Sequence, residues 1–211
     1  MSNFFTLQTT IMFLSGIVVP IAIFLIKNKI EKNKEINKSK QEDKLGNEIL
    51  ISNTITNRLE ILKTEYKADR IWITQFHNGG SYYPTNKSIQ KFSMFYEVVE
   101  YDVESIKMLF QNIPVSLFSA SNKRILENNS IIISDFKDAN IQTYGLKYAA
   151  DETGCKSGYI FGIRDINNKL IGTLGIDYTK RKKLLEIEDI QLLEIEAAQI
   201  GGVLYNYLTT K

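Results

Sequence analysis

The sequence predicts an α+β fold: an antiparallel sheet flanked by helices, preceded by one transmembrane helix. Three observations carry this. Residues 1–26 contain no ionisable side chain and are mostly apolar. Two long segments, Leu45 to Tyr66 and Leu184 to Leu208, place apolar residues three and four apart, the period of an amphipathic helix. Between them lie short runs rich in β-branched and aromatic residues. The clearest are SGYIFGIRD and KLIGTLGIDYT, which flank Ile166-Asn167-Asn168 and predict an antiparallel hairpin.

The opening run, Phe4 to Ile26, is about 23 residues, enough to cross ~30 Å of hydrocarbon, with Pro20 tolerable inside it. No basic residue precedes it, whereas seven Lys follow between Lys27 and Lys44. By the positive-inside rule this side faces the cytoplasm, so the expectation is a single-pass membrane protein with its N-terminus outside. Residues 27–44 read as a Lys-rich juxtamembrane linker leaning on the lipid bilayer. Residues 45–211 form the folded part, including its N-terminal connecting helix.

Within that part, Leu45, Ile49, Ile55, Leu59, Leu62 and Tyr66 mark the apolar stripe of the first helix. Arg70 to Gly80 and Lys91 to Glu100 read as strands. Ser105 to Gln111 and Val115 to Glu127 read as short helices separated by Pro114, followed by a strand at Ile131 to Ser134 and a helix at Ile141 to Glu152. After the hairpin, Ile190, Leu193, Ala197, Ile200, Leu204 and Tyr207 stripe the closing helix. The apolar positions Ile51, Ile61, Ile187 and Ile195 lie off both stripes. Left in water they would form exposed patches, so a homodimer through helices 45–66 and 184–208 is expected.

Composition removes many activities. The chain has 26 basic and 24 acidic side chains, and the folded part is nearly neutral, which argues against nucleic-acid binding. One Cys excludes an internal disulfide, and one His excludes His-based metal clusters. No nucleophile elbow, P-loop or dinucleotide fingerprint occurs, and no two acids stand at a catalytic spacing. The expectation is a chain without catalytic residues or a metal site, and no cofactor is indicated. Aromatics are dense on the expected strands and helices: Trp72, Phe76, Phe92, Phe95, Tyr96, Phe110, Phe118, Tyr159 and Phe161. Of these, Phe76, Tyr96, Phe118, Tyr159 and Phe161, with the polar pair His77 and Asn78 before Gly79-Gly80, are the candidate ligand-binding residues. Cys155 reads as a small residue entering a strand.

The closing segment from Leu170 resembles the end of a GAF domain, in which a Gly-containing hairpin strand leads into a helix of pattern D-x-x-L-L-x-x-x-A-x-Q-I. The matching residues are Asp189, Leu192, Leu193, Ala197, Gln199 and Ile200, and the element order from Gly46 is similar too. The resemblance implies a GAF- or PAS-like domain, a small-ligand pocket between sheet and covering helices, and pairing through terminal helices. It does not extend to the family's known chemistries. Asn122-Lys123, Phe136 and Asp151-Glu152 follow the order of the cyclic-nucleotide signature, but the Phe-to-Asp spacing is too long. Cys155 lacks the adjoining His common at bilin attachment sites, and one Cys is too few for the methionine-sulfoxide reductases. The function implied is a membrane-tethered small-ligand-sensing or protein-docking module without catalytic activity. The layout of one membrane helix and a C-terminal domain also resembles, more weakly, T-even-type phage holins, whose function would be membrane perturbation.

Overall fold

The computed structural model describes residues 19–138 and 144–209. Two compact units divide the chain, Met1–Ile49 and Leu50–Lys211. The first described element is a helix, α1 (Val19–Tyr66), whose backbone stays helical through the Lys-rich stretch expected as a linker. The expected transmembrane helix is corrected here. Among the described residues no helix is long and apolar enough to cross a membrane. α1 carries Val19 to Ile26 of the apolar run and enters the charged stretch at Lys27. Phe4 to Val18 lies outside the described residues. The single-pass placement, with its outside N-terminus and cytoplasmic domain, loses its basis, and so does the likeness in layout to phage holins.

The second unit is built on one six-stranded antiparallel sheet of order β3-β2-β1-β6-β5-β4. Its strands are β1 (Arg70–Tyr82), β2 (Lys87–Val99), β3 (Ile113–Pro114), β4 (Ser130–Ile133), β5 (Ser157–Arg164) and β6 (Leu170–Tyr178). The helices beyond α1 are α2 (Ser119–Asn128), α3 (Tyr144–Thr153) and α4 (Ile187–Thr209), with a 3₁₀ turn at Val115–Phe118 before α2. The β5–β6 hairpin forms where the sequence predicts it. Asp165 Oδ1 accepts the amides of Asn167 and Lys169, and Asn168 takes the left-handed conformation (φ 62°) that the turn needs.

Successive strand residues alternate faces, so the sheet divides its side chains between two layers. One face carries Ile71, Ile73, Tyr159, Phe161, Ile163, Leu174 and Ile176 into a core closed by α1 and α4. There Ile55, Leu59, Leu62 and Tyr66 of α1 meet Leu193, Ala197, Ile200 and Leu204 of α4, and the Arg58 guanidinium grips the Glu196 carboxylate in a two-pronged ion pair. The other face packs Ile131, Ile133 and Ile160 against α2 and α3, and it holds the cavity described below.

Three elements differ from expectation, each for a local reason. Ser105 to Gln111 is a series of turns instead of a helix. The Glu97 carboxylate on β2 accepts the Ser105 hydroxyl and the amides of Ile106 and Lys107, so these donors are committed to the sheet. α4 starts at Ile187 instead of Leu184 because residues 183–185 bond to β5: Lys183 N–H donates to Ser157 Oγ, and Leu185 N–H to the Tyr159 hydroxyl. The edge strand β3, two residues long, carries no periodic signal at all.

Candidate ligand cavity

A cavity of about 80 Å³ lies between the sheet and its α2/α3 cover. Its floor is supplied by alternate residues of four strands: Trp72 and Thr74, Phe92 and Met94, Gly158 and Ile160, Thr173 and Asp177. Its roof comes from Ile106 and Phe110 of the turn segment, Phe118, Asn122 and Ile125 around α2, and Leu146, Ala149 and Thr153 of α3. Phe76, Phe92, Phe110 and Phe118 form a chain of edge-on and tilted contacts, 5.5 to 6.4 Å between ring centres. The interior is mainly apolar; Ser121, Asn122 and Thr153 bring polar groups to the roof, and the floor has them at two points.

The first is the cross-strand pair Thr74 and Thr173, whose hydroxyls lie 2.6 Å apart. The second is Asp177. Its Oδ2 accepts the Trp72 indole N–H at 3.0 Å and Arg70 Nη1 at 3.2 Å. The indole reaches that position because it lies flat over Gly175, where a Cβ would stand 2.1 Å from Cε2 and Cζ2 of the ring. Burial pushes the Asp177 carboxyl above its usual range, and the guanidinium and indole N–H draw it partly back.

Arg70 is the junction of this wall. Its side chain is 1% exposed and stands between two buried carboxylates, Asp177 (11%) and Glu97 (3%). Nη2 donates to the Thr153 carbonyl at the end of α3, whereas Nε, 3.7 Å from Glu97 Oε1, has no hydrogen-bond partner. Glu97 in turn holds the turn segment that delivers Ile106 to the roof. One guanidinium thus joins the cavity floor to two pieces of its roof, the turn segment and the end of α3.

Of the residues singled out from sequence, Phe76 and Phe118 line this cavity. Tyr159 and Phe161 point the other way, into the α1/α4 core, and Tyr96 packs against that same core. On β5 strand alternation is the reason, since the neighbours Gly158 and Ile160 take the cavity face; on β2 a register shift between the pairs Ile73–Tyr96 and Thr74–Met94 turns Tyr96 away from the side of Phe92 and Met94. The Tyr159 hydroxyl donates to the Lys183 carbonyl and accepts the Leu185 amide, anchoring the approach to α4. His77 and Asn78 are used within the β1–β2 hairpin. Ser93 Oγ, which accepts the Asn112 amide, lies 2.8 Å from His77 Nε2; His77 Nδ1 is 3.0 Å from the Asn78 carbonyl; and Asn78 Oδ1 accepts Gln90 Nε2. Asp177, Arg70 and Thr173 were not distinguishable in sequence, since a buried acid inside a strand looks like any solvent-facing one. Cys155 also borders the cavity. Burial, with Asp177 nearby, pushes its thiol far above the ordinary range, and Sγ–H donates to the Ser157 carbonyl. Such a thiol is a poor nucleophile. Among the described residues no three of His, Cys, Asp and Glu group as metal ligands would.

No protein-family model and no curated protein matches the chain. Solved structures do. One is the photoproduct state of a GAF domain from Synechocystis sp. PCC6803, 17% identical with a TM-score of 0.59, covering 75% of this chain and 95% of that one. A second is the GAF domain region of a Geobacter sulfurreducens PCA protein, 14% identical, TM-score 0.56, covering 76% and 96%. A third is the phycocyanobilin-bound GAF domain of a cyanobacterial phytochrome, 13% identical, TM-score 0.59, covering 74% and 85%. At these identities the likeness is one of architecture: a six-stranded antiparallel sheet with helices on both faces, matched over nearly the whole of each neighbour. Residues 50–209 have the GAF-domain fold.

Proposed function

We propose that the GAF-like domain is a non-catalytic sensor of a small molecule, which it holds in the cavity between the sheet and the α2/α3 cover. The observation that carries this reading is the junction at Arg70. A ligand touching Asp177 or Trp72 bears on the group that ties down both the turn segment and the end of α3, so occupancy and roof position are coupled. The phytochrome neighbour was solved with phycocyanobilin bound, which supports the use of this fold to hold a ligand. The test uses the protein's single Trp, which lines the cavity. In a screen of small molecules of varied charge, a ligand is expected to raise the melting temperature and shift Trp72 emission together. Ile160→Phe, which fills the floor without adding a second Trp, should abolish both responses. A screen in which no compound moves either signal counts against the sensor.

Its partner is proposed to be a second copy of the chain, through the outer faces of α1 and α4. Ile61 and Ile195 are 52% and 53% exposed, and Ile187, Leu192 and Val203 are exposed as well. Ile51, by contrast, is partly buried and packs against the core. A groove lined by Ile61, Gln199 and Val203 runs beside the Arg58–Glu196 ion pair. Light scattering is expected to give a dimer for the wild type and a monomer for the Ile61→Glu/Ile195→Glu double variant. A wild-type monomer at high micromolar concentration removes this partner.

A further inference from the structure

Given that the cavity holds a small molecule, its wall constrains which one. Among the described residues, no Lys, Arg or His lines it, and Asp177 is the carboxylate that does. Behind Asp177 the charges do not balance: two buried carboxylates, Asp177 and Glu97, share one guanidinium, whose Nε is left without a hydrogen bond. Two donors occupy Asp177 Oδ2, and the Cys155 thiol on the same wall is a further hydrogen-bonding neighbour of the carboxylate. Oδ1 lies beside Gly158, itself a wall residue, 3.4 Å from where a Cβ on that glycine would stand. A carboxylate acceptor therefore borders the cavity over bare backbone, in a region of excess negative charge. A cation or a strong N–H donor is favoured there, and an anion meets repulsion with no cationic donor on the wall to offset the loss of its water. The rings of Trp72, Phe92 and Phe118 add an aromatic lining suited to a flat, cation-bearing ring.

Size sets the second limit. An engineered apolar cavity of about 150 Å³ takes one benzene, so a space of about 80 Å³ holds at most a single small ring, seated with some yielding of the roof. A linear tetrapyrrole or a cyclic nucleotide is far larger, and both carry anionic groups.

We propose that the cavity binds a small ring-bearing amine, with the ring among Trp72, Phe92 and Phe118 and the N–H group donating to Asp177 Oδ1. This rests on the sensor reading above but goes further, since that reading holds for a ligand of any chemistry.

Four matched probes test it on the full chain: benzylamine, benzyl alcohol, toluene and benzoate, titrated near neutral pH against Trp72 emission. Benzylamine is expected to bind about tenfold or more tightly than toluene and benzyl alcohol, as a charge-assisted hydrogen bond implies, and benzoate most weakly of the four. Gly158→Ala keeps every charge in place and adds a methyl beside Oδ1. It is expected to erase most of the preference for benzylamine over toluene while toluene still binds. Asp177→Asn should do the same if it folds. Equal binding of toluene and benzylamine, or tighter binding of benzoate, overturns the amine and leaves the sensor reading standing. Failure of all four probes also overturns the amine, whereas the sensor reading falls on the wider screen alone.

Discussion

Arg70→Leu is expected to cost about 3–5 kcal/mol of folding stability at neutral pH, because it strands two buried carboxylates without their cation. Against a total stability of about 5–15 kcal/mol for a domain, that is a large fraction. The loss should depend on pH in a defined direction. Burial already raises the Asp177 carboxyl, and Arg70 is the largest influence pulling it down, so its removal raises the carboxyl further. A group whose folded pKa lies above its unfolded value contributes stability at pH below the unfolded value, and that contribution is lost as pH rises through the folded one. The deficit relative to wild type should therefore be smallest below about pH 4, the ordinary Asp range, and grow as pH rises through the raised value. Urea unfolding of both proteins across that range measures it. A deficit independent of pH would mean that the loss comes from packing instead of charge.

Two adjacent glycines on α4 should respond to the same substitution with opposite signs. A Cβ at Gly201 would stand 2.1 Å from the Arg164 carbonyl oxygen, a backbone atom held in β5, so Gly201→Ala must push the helix off the sheet. Overpacking of this kind costs about 1–3 kcal/mol, and a rigid backbone neighbour puts it at the upper end. A Cβ at Gly202 meets nothing within 4 Å. Gly202→Ala should then gain about 0.5–1 kcal/mol from helix propensity alone. Denaturant midpoints of the two single variants decide the matter. Equal effects would mean that α4 is not seated on β5 as described.

The pair also shows where sequence is informative and where it is silent. The α4 stripe from Ile190 to Leu204 is readable because burial follows helical period, and the β5–β6 hairpin is readable from its turn chemistry. Which of Gly201 and Gly202 touches the sheet is not readable, because contact with another strand's backbone leaves no mark on composition. The cavity failed to show itself for a related reason. Sequence reading favours large aromatics as ligand contacts, and on β5 these are Tyr159 and Phe161, which fill the opposite core. The residues that make room are Gly158 on β5 and Gly175 on β6, where the side chain is missing. Likewise, Asp177 acquires its meaning from Arg70 and Glu97, distant in sequence and joined to it by strand pairing across β2, β1 and β6. The turn segment after β2 was misread as a helix because its donors are claimed by a carboxylate eight to ten residues earlier.

The bare backbone at Gly158 has a consequence for how such a binding site diversifies. The bore of the cavity there is set by an absence, so a single added carbon narrows it with strand pairing left in place. A Cβ at this position would sit 3.3 Å from the Phe136 ring and 3.4 Å from Asp177 Oδ1, a fit that needs shifts of only tenths of an ångström. On the proposed reading, selectivity among chemically similar molecules is thus adjustable at a single codon, with the architecture left untouched.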